Sequence, residues 1–340
     1  MRHSGPDDRH NEATRLRMLS PAVPELVSIV TPFHDDLRFF GDTVASVFGQ
    51  TYPEWEWLLV DDGSTLGCAE RARTFAASHP ERVRYLRQPD GTRHGEAAAR
   101  NIGIAESRGE YLALLDVDDV WFPGKLSVQT EILNRHPEVA MVYNPLYFWY
   151  SWPGNEGPPH RDFVCPMGDE HDTVVEPPAA VLRQIRIADG LPGTCSALLR
   201  ADAVRAVGGF EEAFDGMYAD EVFFSKICLR HRTYLMRQHF DLYRQHESSS
   251  SAVAARKGEY VPGPAIPSPA RQRFLEWLLR IAGEAGQHDV ASLVRDELDA
   301  NYAALGGGAR MTAEHGDSDN PPVVPTPEVV EDALRSPEHV

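Results

Sequence analysis

EYLALLDVDD, residues 110–119, sets an apolar run from Tyr111 to Leu115 against an end that carries Asp116, Asp118 and Asp119. Such a run reads as a strand with a polar end. Two earlier stretches repeat the pattern: LVSIVTP (26–32) stops at a threonine, and WEWLLVDDGS (55–64) stops at Asp61 and Asp62. Between and after them lie helical patterns at Asp36–Gln50, Cys68–Ser78 and Glu96–Ser107, with RVRYLRQ (82–88) and VAMVYN (139–144) as further strands. Pro123 opens another helix, as proline does in a first turn. Strands alternating with helices predict an α/β fold, a Rossmann-like and mainly parallel sheet flanked by helices.

Beyond Asn144 the regular alternation loosens. Glycine, proline and charge dominate 153–178, which predicts a long irregular connection. A helix over 178–187, a strand CSALLR (195–200), a helix from Asp202 and another from Met217 to Arg230 follow. VPGPAIPSP (261–269) has linker composition, and Arg271–Asn301 reads as a helical pair. From residue 311 onward seven acids stand against Arg335 alone, in proline-rich surroundings that predict disorder.

The 340 residues, 42% apolar and 25% charged, have globular composition and can bury a sizeable core. Thirty-three basic against 51 acidic residues give a net charge of −18, which repels polyphosphate backbones and argues against nucleic-acid binding. Lys125, Lys226 and Lys257 are the only lysines and sit in no lysine-nucleophile motif. Cys68, Cys165, Cys195 and Cys228 are too scattered for a zinc site or a disulfide framework. The polar, Pro-punctuated opening lacks a secretory apolar stretch and no run reaches the ~18 apolar residues of a spanning helix, so the expected location is the cytoplasm.

In a parallel sheet, ligands bind beyond the carboxyl ends of the strands. Thr31, Asp61, Asp62, Asp116, Asp118 and Asp119 all fall there. Gathered carboxylates repel one another unless a hard cation shares them, and a divalent ion bridging a diphosphate does so. DVDD therefore reads as a Mg or Mn seat, with Asp118 and Asp119 the first candidate contacts; helix capping is the alternative.

VSIVTPFHDD, SVFGQTYPEWEWLLVDDGST and HGEAAARNIGIAESRGEYLALLDVDDVWFPGKL, in that order over residues 26–145, resemble the nucleotide-sugar domain of the family 2 glycosyltransferases of GT-A fold. PGTCSALLRADAVRAVGGFEE and YADEVFFSKI extend the resemblance over 192–227. It implies an inverting, non-processive hexosyl transfer from a nucleotide diphosphate sugar, a UDP-sugar first among donors. Thr31, Pro32 and Phe33 resemble the segment that cradles the base, Asp62 the acid that takes a hydrogen bond from it, and Arg100 an arginine beside the nucleotide. Asp116, Asp118 and Asp119 match the metal and ribose acids, and His246 resembles a histidine recruited as a further metal or diphosphate ligand. Asp220 falls where the family places its general base, with Glu221 as alternate; both are also ordinary N-terminal helix acids.

The resemblance divides the chain into a flexible terminus (1–24), a nucleotide-sugar half (25–145), an acceptor-binding and catalytic half (146–250), a linker (251–269), a helical extension (270–303) and the tail (304–340). The acceptor class stays open among small molecules, lipid-linked carriers and saccharides, and a homodimer is compatible with the aromatic cluster Tyr143, Tyr147, Phe148, Trp149, Tyr150 and Trp152. That cluster also suits a sugar platform or plain core. QRFLEW (272–277) only approaches the Q-x-x-R-W of processive synthases. Two other readings compete. DVDDV fits a haloacid-dehalogenase-like phosphatase with Asp116 as nucleophile, although three strands precede it, and a nucleotide-sugar-binding protein without turnover would have little use for Asp220. No G-x-G-x-x-G follows the first strand, against a dehydrogenase.

Overall fold

The computed structural model describes residues 22–155, 161–168, 170–186, 192–214, 216–257 and 267–308. The expectations for residues 1–21, for the proline-rich stretch 258–266 and for the tail from 309 lie outside the described residues.

The first half alternates as β1 (Val23–Phe33), α1 (Phe40–Phe48), β2 (Trp55–Asp61), α2 (Leu66–Ser78), β3 (Val83–Arg87), α3 (Glu96–Glu106) and β4 (Gly109–Leu114). β2 is buried along its whole length and β1 over its last seven residues. Strands covered on both faces carry near-continuous apolar runs, which is why these were legible as strands. β1 pairs in parallel with β2 and β4, and β2 with β3.

The chain continues through β5 (Val120–Trp121), α4 (Lys125–Arg135), β6 (Val139–Tyr143), β7 (Tyr147–Trp149), β8 (Phe163–Val164), β9 (Thr173–Val175), α5 (Ala179–Arg186), a 3₁₀ turn (Thr194–Ser196), β10 (Leu198–Arg200), α6 (Ala201–Ala206), α7 (Ala219–Cys228), β11 (Arg232–Leu235) and β12 (Asp241–Arg244). The main sheet runs β3-β2-β1-β4-β10-β6-β11-β9, and a second sheet runs β5-β12-β7-β8.

The segment 195–200 differs from its expectation. Its first residues form the 3₁₀ turn, and only Leu198–Arg200 is strand, lying antiparallel between β4 and β6. Leu198 pairs with Ala113 and Arg200 with Tyr111, so β10 enters the sheet at the carboxyl edge of β4 and runs backwards. That leaves Thr194 at the crevice. The expected linker 251–269 likewise begins with a helix, α8 (Ser250–Arg256), because the Ser249 hydroxyl accepts from the Ala252 amide and caps it.

α9 (Pro269–Glu284) and α10 (His288–Gly308) form the helical pair. They are no appendage: Phe274, Leu275, Trp277 and Leu278 share one buried cluster with Val222, Phe223 and Ile227 of α7. Tyr218 stacks on Phe274 with ring centroids 5.0 Å apart. No described helix is long and apolar enough to cross a membrane.

Gly103 lets α3 lie directly on β1, since a Cβ there would stand 2.3 Å from Cγ1 of Val30. Alanine gains up to about 1 kcal/mol over glycine in a helix, whereas overpacking costs about 1–3 kcal/mol. The clash wins. Gly103→Ala is expected to lower the thermal midpoint by several degrees; an unchanged or raised midpoint would show that α3 can move away freely.

Candidate active site

The crevice lies beyond the carboxyl ends of β1, β2 and β4. At β2 the DDGS turn folds on itself. Asp61 accepts from the Ser64 amide at 2.7 Å and from the Tyr85 hydroxyl. Gly63 has φ of +75°, and a Cβ there would meet the Arg93 amide nitrogen at 2.5 Å. Asp62 Oδ1 accepts from the His94 amide at 2.8 Å and Gln88 Nε2 at 3.2 Å. Its Oδ2 accepts from the Gly95 amide at 2.9 Å and faces Arg93. Asp62 thus ties down the loop that leads into α3, and its Oδ2, with one hydrogen-bond donor, keeps acceptor capacity.

The three acids of DVDD part company. Asp116 Oδ1 accepts from Arg100 at 2.7 Å and its Oδ2 from the Thr194 hydroxyl at 2.8 Å. Asp118 Oδ2 meets His246 Nε2 at 2.8 Å. Asp119 turns inward, fully buried: one oxygen accepts from the Arg244 amide at 2.9 Å and the other has no partner. Burial, with Asp118 and Asp116 beside it, pushes Asp119 well above the usual carboxylate range.

The expected metal set Asp116, Asp118, Asp119 and His246 is therefore not brought together, because Asp116 is held by Arg100 and Asp119 supports β12. Among the described residues no three His, Cys, Asp or Glu side chains converge as a metal site. Asp118 and His246 do offer an oxygen and an imidazole donor side by side. A two-residue set fits Mg²⁺ or Mn²⁺, which complete their coordination with phosphate oxygens and water.

Arg244 was not singled out by its sequence, since its partners lie about 90 to 200 residues away along the chain. Its guanidinium is sandwiched 4.3 Å from the Phe39 ring and 4.4 Å from Trp149, with Trp152 at 5.4 Å. Nε donates to the Asp118 carbonyl at 2.7 Å and Nη2 to Asp42 at 2.7 Å. Arginine suits such a place because its flat cation stacks on rings while its edge donates. It fixes the backbone from which Asp118 projects. The aromatic residues 147–152 are thus partly a clamp: Trp149 and Trp152 hold Arg244, while Phe148 stacks on Phe163 at 4.7 Å and Tyr143 is core.

The base-cradling expectation for β1 needs correction. Thr31 is fully buried and its hydroxyl accepts from Trp57 Nε1 at 2.9 Å, while Phe33 belongs to the core with Ile29 and Leu37. Thr31 and Phe33 share the strand face that packs inward, so their side chains cannot cradle a base. Pro32, on the other face, is buried as well. His34, just past the strand, is half-buried and bonds the Asp62 carbonyl at 2.9 Å.

Asp220 stands in the first turn of α7. Tyr218, just before, holds φ of 67°, a left-handed conformation that costs a non-glycine residue on the order of 1 kcal/mol. Its burial and its stack on Phe274 keep it there. Arg100, almost fully buried, links the two acid groups: burial disfavours its charge, but Asp116, Glu96 and Asp220 outweigh that and raise its hold on the proton. Burial, then Asp119, Asp220 and Asp118, likewise lift the Tyr243 hydroxyl well above its ordinary value. Asp220 and the DVDD acids therefore share one electrostatic neighbourhood around Arg100 and Tyr243. Burial and Asp220 push Glu221 far up.

The profile of glycosyl transferase family 2 matches residues 28–196. The O-antigen biosynthesis protein RfbC of Myxococcus xanthus is 38% identical over 120 residues, 35% of this chain and 9% of that one. The putative teichuronic acid biosynthesis glycosyltransferase TuaG of Bacillus subtilis is 36% identical over 139 residues, 41% of this chain and 52% of the other. The chain thus spans from under a tenth to about half of these relatives' lengths. Among solved structures, S. aureus TarS 1-349 in complex with UDP-GlcNAc superposes with a TM-score of 0.60 at 17% identity, over 85% of this chain and 76% of that one. The mannosyltransferase PcManGT from Pyrobaculum calidifontis, in complex with GDP-Man and Mn2+, gives 0.52 at 17% identity over 91% and 83%. At that identity the likeness establishes the fold.

Proposed function

Because this chain belongs to glycosyl transferase family 2 through residues 28–196, we propose that it moves one sugar from a nucleotide diphosphate sugar to an acceptor hydroxyl, with inversion, using Asp220 as general base. The observation that carries this reading is that Asp220, in the first turn of α7, and acids of DVDD lie close enough to act electrostatically on the same two groups, Arg100 and Tyr243. An inverting transfer needs that arrangement: a carboxylate that takes the acceptor proton on one side, and a departing diphosphate on the other.

Asp118 and His246 would hold a Mg²⁺ or Mn²⁺ ion, which when bound supplies positive charge to the diphosphate. Asp116, fixed by Arg100 and Thr194, sits where a ribose hydroxyl can meet it. The Arg100 guanidinium sets a positive charge among these acids, meeting Asp116 at 2.7 Å and Glu96 at 3.4 Å. Ser250 donates to Glu96 at 2.8 Å and Arg38 to Ser248, so the segment after β12 is tied both to the α3 start and to the β1–α1 loop. UDP-sugars come first among donors; saccharide, lipid-linked and small-molecule acceptors all remain compatible. A phosphatase with Asp116 as nucleophile is disfavoured, because three strands precede the one ending in DVDD and the family match over residues 28–196 accounts for the motifs that reading leaves aside.

Thermal unfolding with UDP or GDP, each with and without Mn²⁺, tests the donor half. A ligand at ~100 times its dissociation constant adds about 2.7 kcal/mol, a rise on the order of 5 °C in a domain of this size. We expect that rise with a nucleoside diphosphate plus Mn²⁺, and its loss in Asp118→Ala. Absence of any shift, or a full shift in Asp118→Ala, counts against the placement.

A further inference from the structure

GGFEE (208–212), between α6 and α7, lies beyond the stretch matched by the family profile and has no task in the reading above. Asn101 of α3 clamps its middle. Asn101 Oδ1 accepts from the Phe210 amide at 2.8 Å, and Nδ2 donates to the Phe210 carbonyl at 3.0 Å and to Glu212 at 2.9 Å. One side-chain amide thus satisfies both backbone groups of a residue that lies in no strand or helix. Residue 209 is glycine, and a Cβ there would stand 2.6 Å from Asn101 Oδ1, so the clamp closes only on a bare backbone.

What the clamp holds bears on α7. The buried Phe210 ring stacks on Phe223 with centroids 4.2 Å apart and planes 8° from parallel. The next residue, Glu211, meets the almost fully buried Lys226 at 2.8 Å. Phe223 and Lys226 are three residues apart and share one side of α7, and Asp220 stands one turn before Phe223. The other end of the arrangement reaches the crevice. The Arg100 guanidinium lies over the same Phe210 ring, 5.4 Å from its centre, and bonds Asp116 at 2.7 Å. Two consecutive residues of α3, Arg100 and Asn101, therefore hold an acid of DVDD and the loop that grips the helix carrying Asp220.

We propose that Asn101 is a positioning residue: by clamping the Phe210 backbone it sets where α7 stands against α3, and with it the placement of Asp220 relative to Asp116. Its catalytic meaning rests on Asp220 being the base, whereas the clamp itself stands on the contacts just given.

Two measurements on the full chain separate these parts. In Asn101→Ala, amide hydrogen exchange over residues 208–224 is expected to quicken at least about tenfold while β1 and β2 keep their protection. Unchanged exchange there, or an equal rise across the sheet, overturns the clamp. The second measurement is nucleoside diphosphate release from UDP-GlcNAc and GDP-mannose with Mn²⁺, used as probe donors. Asn101→Ala, and Phe210→Leu, which keeps the clamp but removes the stack, are each expected to lower kcat about 10- to 100-fold with donor KM little changed, the scale of misplacing a reacting group. A merely structural role would lower the thermal midpoint and leave both constants of the folded enzyme in place, which overturns the positioning role. A residue that acts through Asp220 has little left to do once that acid is gone, so Asn101→Ala is expected to cost less than about threefold more on top of Asp220→Asn. A full further loss in the double variant also overturns it. Should Asp220→Asn alone remain active, the base assignment falls while the exchange result still decides the clamp.

Discussion

Asp220→Asn is expected to lower the rate of sugar transfer by about 10³-fold while leaving the affinity for a nucleoside diphosphate nearly unchanged, since a positioned general base contributes roughly 10²–10⁴. The amide keeps the size of the side chain and its contact with the Glu221 amide, but it cannot take a proton. The first turn of α7 is secured by other means: Val222, Phe223 and Phe224 are buried, and Tyr218 is stacked on Phe274. A folding defect is therefore not the expected cause of the loss. Arg100 loses one of its neighbouring negative charges but keeps Asp116 at 2.7 Å. Product formation and diphosphate binding, measured separately, give the answer. A variant with undiminished transfer would remove Asp220 from the reaction, and one that loses diphosphate binding equally would place it in the donor site instead.

Lys125→Met should produce the largest loss of stability. Lys125 is completely buried; its Nζ donates to the Ser196 carbonyl at 3.0 Å, faces Asp241 at 3.8 Å and lies 5.4 Å from the centre of the Trp121 ring. Removing the cation leaves Asp241 buried with the Asn144 amide as its remaining side-chain donor at 2.7 Å. Breaking such a pair costs about 3–5 kcal/mol, on the order of 10 °C in thermal midpoint. Replacing both partners by apolar residues is expected to recover much of it, because the isolated charge, more than the missing attraction, is what destabilises.

The pair also carries a pH signature. Burial, opposed by Asp241, lowers Lys125 from 10.5 to about 8. Below pH 8 the lysine is protonated in both states and the burial cost is present in full. Between about 8 and 10.5 the unfolded chain binds the proton that the folded one has released, so wild-type stability gains with rising pH across that window. Lys125→Met should lack the gain. Denaturant unfolding at pH 7.5 and 10 measures it, and parallel slopes for the two proteins would contradict the assignment.

Most of the strands and helices were legible because buried strands write themselves as apolar runs and their ends as polar residues. What a run does not reveal is which way each side chain points. Thr31 and Phe33 sit at the correct end of β1, yet period-two alternation sends both into the core, and a strand covered on both faces gives no contrast to show it. Asp116, Asp118 and Asp119 look equivalent in one tetrapeptide; only the arrival of Thr194, His246 and the Arg244 backbone from distant segments tells them apart. Arg244 and Tyr243 were invisible for the same reason. α8 was missed although its signal was present: a serine cap before Ala-Val-Ala-Ala is an ordinary helix start, hidden by the proline-rich composition that follows.

The stack of Tyr218 on Phe274 has an implication for recombining this chain with its relatives. The left-handed residue that aims Asp220 is braced from α9, beyond the portion matched by the family profile. A chimera that grafts another relative's carboxyl-terminal segment onto the first 257 residues would inherit Asp220 without its brace. Such hybrids should fold their sheet and still retain a misdirected carboxylate, unless α9 and α10 travel together with α7 as one exchangeable block.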